Sequence, residues 1–91
     1  MPTSPARPIG ALTLEIASCI RGELARQQLA KTTLADRVGI SRAQLNKIVN
    51  GKKAIDIENL DRIVYALRLD LETVLREADE ATPRRHLPPA P

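Results

Sequence analysis

Residues 34–53 read LADRVGISRAQLNKIVNGKK and contain two short segments with apolar residues at helical spacing. The apolar positions are Leu34, Ala35 and Val38 in the first segment and Leu45, Ile48 and Val49 in the second. Between the segments, Gly39 tolerates a positive φ and Ile40 supplies an apolar plug. Ser41 then caps the second segment. This stretch predicts two helices joined by a tight turn, a helix-turn-helix.

The same helix-start pattern, an N-cap with a hydrophobic staple, occurs three times in the chain. Ser41, Asp56 and Asp70 can each cap a helix, and each is flanked by apolar residues that form a hydrophobic staple. Gln44 completes a capping-box pattern with Ser41. Leu12, Ile16, Ile20 and Leu24 form an apolar stripe further upstream. The inward residues expected in the last two helices are Ile57, Leu60, Ile63, Val64, Leu67, Leu71, Val74 and Leu75. We therefore predict a compact, all-α fold of five helices over about 12–28, 31–38, 42–50, 57–68 and 71–80.

The composition is consistent with one small helical domain. The chain has 91 residues, of which 43% are hydrophobic, with one Tyr and no Phe or Trp. Leu, Ile, Val and Ala must therefore form the core, which suits helix packing. All seven prolines lie at the two ends. Residues 1–10 and 82–91 are accordingly expected to be flexible tails around a folded body of residues 11–81.

Charge is divided along the chain. Residues 31–53 carry six basic side chains against one acidic one, whereas residues 54–81 carry three basic against eight acidic. Such an asymmetry is typical of a surface that binds a polyanion, although solvated charges can also be distributed in this way by chance.

The outward face of the third helix combines basic, amide and methyl groups. It is formed by Arg42, Ala43, Asn46, Lys47 and Asn50. Arg pairs with guanine, Asn with adenine, and an Ala methyl packs on the thymine methyl. No acidic residue interrupts this face. On an isolated helix it would be an ordinary solvated surface. As part of a helix-turn-helix and beside Lys52 and Lys53, this face favours nucleic-acid binding.

Residues 29–75 resemble the lambda-repressor/Cro-like (XRE-type) helix-turn-helix family. The resemblance rests on a long pattern: Leu34-Ala35, Val38-Gly39-Ile40-Ser41, Leu45, Ile48, Asn50-Gly51-Lys52, Ile57, Leu60, Ile63, Leu67, Leu71 and Val74-Leu75. It implies a DNA-binding domain whose third helix enters the major groove of double-stranded DNA.

The resemblance also implies which residues contact DNA. The base-reading positions correspond to Arg42, Ala43, Asn46 and Lys47, with Gln44 at the edge of the set. The phosphate-contacting positions correspond to Lys31, Thr32, Ser41, Asn50, Lys52 and Lys53. It implies no catalytic residue, no metal ligand and no cofactor.

Three positions depart from the family pattern. Leu24 and Val49 stand where many members pair an Arg with a Glu, so we expect an apolar contact there. Ala30 replaces the usual Thr or Ser before the second helix, which predicts a weak cap or a start at Thr32. Arg68 replaces the usual Gly or Asn after the fourth helix and puts the C-cap geometry there in question.

The function expected from these observations is a sequence-specific transcription regulator, a repressor that binds an inverted repeat as a symmetric dimer. The fifth helix and the end of the fourth are the candidate dimer surface. Two alternatives stay open, namely the antitoxin of a toxin–antitoxin pair and a helix-turn-helix used as a protein-interaction module. An enzyme is disfavoured because no nucleophile–base pair or paired carboxylates can be named. The expected partners are double-stranded DNA, a second copy and a possible protein partner, with no membrane and no small-molecule substrate.

Four remaining features carry weaker expectations. The lone Cys19 is expected in the core, and with no secretory signal in sight it favours a cytoplasmic location. His86 has no neighbouring ligands for a metal. Tyr65 falls at the core margin or in a subunit interface. Arg84-Arg85 either adds loose phosphate contacts or is a solubilising tail.

Overall fold

The computed structural model describes residues 10–82 and contains five α-helices. They are α1 (Ala11–Gln27), α2 (Lys31–Val38), α3 (Arg42–Val49), α4 (Ile57–Ala66) and α5 (Leu71–Ala81). The described part of the chain has no β-strand. The all-α, five-helix prediction is therefore confirmed, with helix ends within two residues of the expected positions. The tails expected at residues 1–10 and 82–91 lie outside the described residues, except for Gly10 and Thr82.

The predicted caps define three of the helix starts. Ser41 accepts a hydrogen bond from the backbone N–H of Gln44, and Asp56 and Asp70 accept the equivalent bonds from Asn59 and Thr73. The apolar residue before each cap packs against the core, as a staple requires. α2 begins at Lys31 after Ala30, which offers no side-chain acceptor, so the weak cap expected there is confirmed.

α4 ends in a left-handed residue although no glycine is present. Arg68 has φ 58°, a conformation that costs an L-residue about 1–2 kcal/mol. Its N–H donates to Tyr65 O at 3.0 Å and the N–H of Leu69 donates to Val64 O at 2.9 Å, the two bonds of a Schellman motif. The amide of Gln27 also donates to Leu67 O at 2.8 Å. These bonds offset the strain, and the helix ends at Ala66 rather than at residue 68.

The core is aliphatic and lies where all five helices meet. Its completely buried members are Leu34, Leu45, Val49, Ile63, Leu67 and Ala78. Leu24 and Val49 both belong to it, as expected for an apolar pair in place of an ion pair. α1 packs on α3 and α5, while α2 packs on α3 and α4. The helix-turn-helix formed by α2 and α3 thus packs on α1 and α4, and α5 packs on those two helices in turn.

Two residues expected to face inward do not. Ile57 is 61% exposed and Leu12 is 37% exposed, so both predictions are wrong. Each stands at the first or second position of its helix. Because helical side chains tilt toward the N-terminus, side chains at these positions project beyond the helix end instead of onto the core. Leu71 and Leu75 are half-buried near Leu12, whereas Ala78 on α5 is completely buried.

Candidate nucleic-acid interface

α3 has two chemically distinct faces. Leu45, Ile48 and Val49 are at most 2% exposed and anchor the helix in the core. The expected base-reading residues Arg42, Ala43, Asn46 and Lys47 are all exposed on the opposite side, together with Asn50. α3 therefore presents a continuous basic and amide surface to solvent.

Gln44 and Ser41 stand at the edge of this surface. Gln44 is half-buried, and its backbone N–H donates to Ser41 Oγ at 3.1 Å. The reciprocal bond of a capping box, from Ser41 N–H to the Gln44 side chain, is not formed within residues 10–82. Because the Ser41 oxygen acts as an acceptor in the cap, its hydroxyl proton is still available for an external acceptor.

The first turn of α2 carries free hydrogen-bond donors. Its first helical bond runs from Leu34 N–H to Ala30 O at 3.1 Å, so the N–H groups of Lys31, Thr32 and Thr33 have no acceptor within the helix. Lys31 and Thr32 are exposed beside them. Unpaired N–H groups at the positive end of a helix dipole form a favourable environment for an anion.

The loop after α3 places further cations beside the same face. Lys52 and Lys53 are exposed, whereas Gly51 between them and α3 is buried. Gly51 has φ 69°, and a Cβ there would lie 2.8 Å from Leu14 Cδ2 on α1. Glycine therefore allows the chain to turn closely over α1, and Lys52 N–H closes the turn on Lys47 O at 2.8 Å.

Only one carboxylate belongs to the segment that forms this surface. Asp36 lies on the exposed side of α2, and residues 31–53 otherwise carry only basic charges. No group of three His, Cys, Asp or Glu side chains that could hold a metal occurs within residues 10–82. The surface is thus a cationic, hydrogen-bonding helix face.

The comparison with known proteins agrees with this geometry. The family model of the Cro/C1-type HTH DNA-binding domain matches residues 20–78, well over half of the chain. The chain belongs to the Cro/C1-type HTH DNA-binding domain family. No curated protein and no solved structure matches the chain. As a Cro/C1-type domain it is a DNA-binding module of a kind typical of non-enzymatic regulators.

One contact of this Cro/C1-type domain was missed by the sequence reasoning. The guanidinium of Arg21 on α1 donates to Val49 O, the last residue of α3, at 2.6 Å. An arginine of α1 therefore contacts the end of α3, where many family members have an Arg–Glu pair. This arginine stands one helical turn before Leu24, however, and it binds a backbone carbonyl instead of a Glu side chain. Only the helical spacing of Arg21 and Leu24 hinted at it, because the carbonyl acceptor leaves no signal in the sequence.

The remaining candidate residues lie away from α3. Cys19 is half-buried, and burial raises its thiol pKa with a further contribution from the carboxylates of Glu77, Glu15 and Glu23. The thiol is therefore held in its protonated, less nucleophilic form. Tyr65 is 84% exposed, so of its two expected places the core margin is wrong, and the subunit interface stays a prediction. His86 and Arg84-Arg85 fall outside the described residues. None of the helices within residues 10–82 could span a membrane.

Proposed function

We propose that this chain is a sequence-specific, double-stranded-DNA-binding transcription regulator that inserts α3 into the major groove. The observation that carries the proposal is the exposed, acid-free face of α3 in a Cro/C1-type domain. In this proposal Arg42 pairs with guanine O6 and N7, and Asn46 pairs with adenine N6 and N7. Ala43 offers a methyl contact to thymine, while Lys47 and the half-buried Gln44 complete the base-reading set.

Phosphate contacts flank the reading helix in this proposal. Lys31, Thr32 and the free N–H groups of α2 bind one stretch of backbone. Lys52, Lys53 and Asn50 bind the backbone at the other end of α3, and the Ser41 hydroxyl donates near the helix start. Because phosphate contacts carry no base information, they fix the position of α3 in the groove and supply most of the salt-dependent affinity.

We further propose that the domain acts as a symmetric dimer on an inverted repeat. α3 has eight residues and is about 12 Å long, so one copy reads only a few base pairs. Two copies on half-sites about 34–36 Å apart would double that information. A groove between α1 and α5, lined by Leu12, Leu71 and Leu75, offers an apolar surface for the second copy. This groove includes α5, which is one of the two parts of the candidate dimer surface.

Repression requires no property of such a dimer other than binding to DNA. A protein bound across promoter DNA blocks other proteins by occupancy alone, whereas activation requires an additional productive contact. The DNA-binding surface therefore supports a proposed role as a repressor, which requires no further activity.

The experiment that tests the proposal is selection of binding sites from a randomised duplex library at near-physiological salt. An enriched inverted repeat supports a dimeric, sequence-reading regulator, and a single half-site supports sequence reading by one copy. No enrichment from a folded sample overturns the proposal. Leu12→Glu, at an exposed position of the α1–α5 groove, is expected to lower the mass seen by sedimentation to that of one copy.

A matched pair of variants separates base reading from phosphate binding. Asn46→Ala is expected to lower affinity for the selected site by about 1–3 kcal/mol and to relax the preference at one base pair. Lys53→Ala is expected to weaken binding to all sequences by a similar factor. If both variants behaved alike on every sequence, the assignment of separate roles would be wrong.

A further inference from the structure

We propose that a second surface of this domain, formed where the end of α2 meets the C-terminal half of α4, docks an acidic segment of a partner protein. We call this surface the arginine groove. It is a shallow depression with Arg37, Arg62, Tyr65 and Arg68 around it and Val38 and Leu69 among its apolar lining. It lies outside α3 and the loop that follows it.

Tyr65 is the first observation behind the proposal. It is the only aromatic residue of the chain, and 84% of it is exposed instead of filling an aliphatic core. A single exposed apolar residue needs no explanation on its own. Here, however, the exposed ring lies among three arginines, and Tyr and Arg are the residue types most enriched at the energetic centres of protein interfaces.

The arginines are the second observation. Arg37, Arg62 and Arg68 are all exposed, and the ion pair formed in residues 10–82, between Arg26 and Glu23, involves none of them. Glu58 lies one helical turn before Arg62, at a spacing that permits an ion pair, yet the two side chains do not form one. Three guanidinium groups are therefore free to bind carboxylates, for which their planar fork is well suited.

The arginine groove is separated from the proposed DNA contacts along both helices that form it. Arg37 and Val38 end α2, whereas Lys31 and Thr32 begin it, about 9 Å away along the axis. Arg62, Tyr65 and Arg68 occupy the far half of α4 and its end, whereas Lys52 and Lys53 precede that helix. We therefore expect that a partner in the groove and DNA on α3 can be bound at the same time.

Charge complementarity identifies the occupant. The groove combines three arginines with an apolar lining, which fits a peptide carrying Asp or Glu on either side of one apolar side chain. A nucleic-acid backbone fits less well, because residues 54–81 carry eight acidic against three basic side chains and a longer polyanion would run into that excess. The apolar lining also has no counterpart in a phosphate backbone.

The test is selection of peptides from a random display library on the full chain, followed by fluorescence anisotropy of the enriched peptides. We expect acidic sequences with a central apolar residue. Their binding should fall about tenfold or more in Tyr65→Ala and in Arg62→Ala, as at an interface hot spot. Both substitutions are at exposed positions, and circular dichroism checks that the helices are retained. Lys53→Ala is the matched control and should leave peptide binding unchanged.

Each other outcome overturns the proposal. Enriched peptides that are not acidic, or that bind Tyr65→Ala and Arg62→Ala as well as the parent chain, would show that the groove is not the docking site. Loss of single-stranded oligonucleotide binding in Tyr65→Ala, without acidic-peptide binding, would make the groove a nucleic-acid site. A change of sedimenting mass in Tyr65→Ala would make it a contact between copies. Displacement of the peptide by duplex DNA would refute the separation of the two surfaces.

Discussion

The salt dependence of DNA binding offers a quantitative test of the interface. Lys31, Lys52 and Lys53 are exposed and form no ion pair within residues 10–82, so each is free to displace a condensed counterion from a phosphate. Two copies bring six such lysines to an inverted repeat. At about 0.9 per neutralised phosphate, log Kobs should fall against log salt with a slope of about −5. Affinity should then drop roughly a thousandfold between about 50 and 200 mM salt.

The change of this slope in Lys52→Ala reports how many copies are bound to the DNA. Removing one phosphate contact from each copy should make the slope shallower by about 2 for a dimer and by about 1 for a single copy. The assay is fluorescence anisotropy with the selected duplex over a salt series. Arg62→Ala, which removes an equally exposed charge on α4, should leave the slope unchanged. The reasoning is refuted if Lys52→Ala does not alter the slope, or if Arg62→Ala alters it equally.

The other predictions concern the fold. Leu24 is 6% exposed, so Leu24→Arg should bury an unpaired charge and destabilise the domain by about 3–5 kcal/mol. Ala25→Arg, at the exposed neighbouring position, should not destabilise it. An unchanged thermal melt for Leu24→Arg would contradict this prediction. In urea unfolding, Arg68→Gly should have a free energy of unfolding about 1 kcal/mol higher than Arg68→Ala, because glycine adopts the left-handed conformation without strain. Equal stabilities would exclude backbone strain at this position. The side-chain hydroxyl and backbone N–H of Thr73 donate to Asp70 and lower the pKa of that carboxyl. The ionised carboxylate therefore stabilises the fold above the ordinary pKa of Asp. This stabilisation is lost as the pH falls through the pKa that Asp70 has in the folded protein. Asp70→Asn should therefore flatten the acid limb of a stability–pH curve, and an unchanged limb would dismiss this role.

The parts of the fold that could be predicted from the sequence have local causes. Ser41, Asp56 and Asp70 act on backbone groups three residues away, and Gly39 needs only its own φ of 84° to end α2. Such short-range chemistry is visible in the order of residues. The exposed face of α3 was predictable for the same reason, since helical spacing alone separates it from the buried face.

The missed features depend on how distant parts of the chain meet. The bond from Arg21 to Val49 O spans 28 residues, and it involves a carbonyl that every residue possesses. The exposure of Ile57 depends on where the core ends relative to the first turn of α4. The left-handed Arg68 depends on bonds within the helix end and on Gln27 from α1. The cluster of arginines around Tyr65 likewise forms only when α2 and α4 pack together.

The division of α3 into two faces has a consequence for how such a protein diverges. Arg42, Ala43, Asn46 and Lys47 are exposed and add little to the buried core, so selection for folding constrains them weakly. A descendant of this chain can therefore acquire a different target site by exchanging these four side chains, without compensating changes in its interior. Gln44 is the exception, because it is half-buried. We expect that position to vary least among relatives that bind unrelated operators.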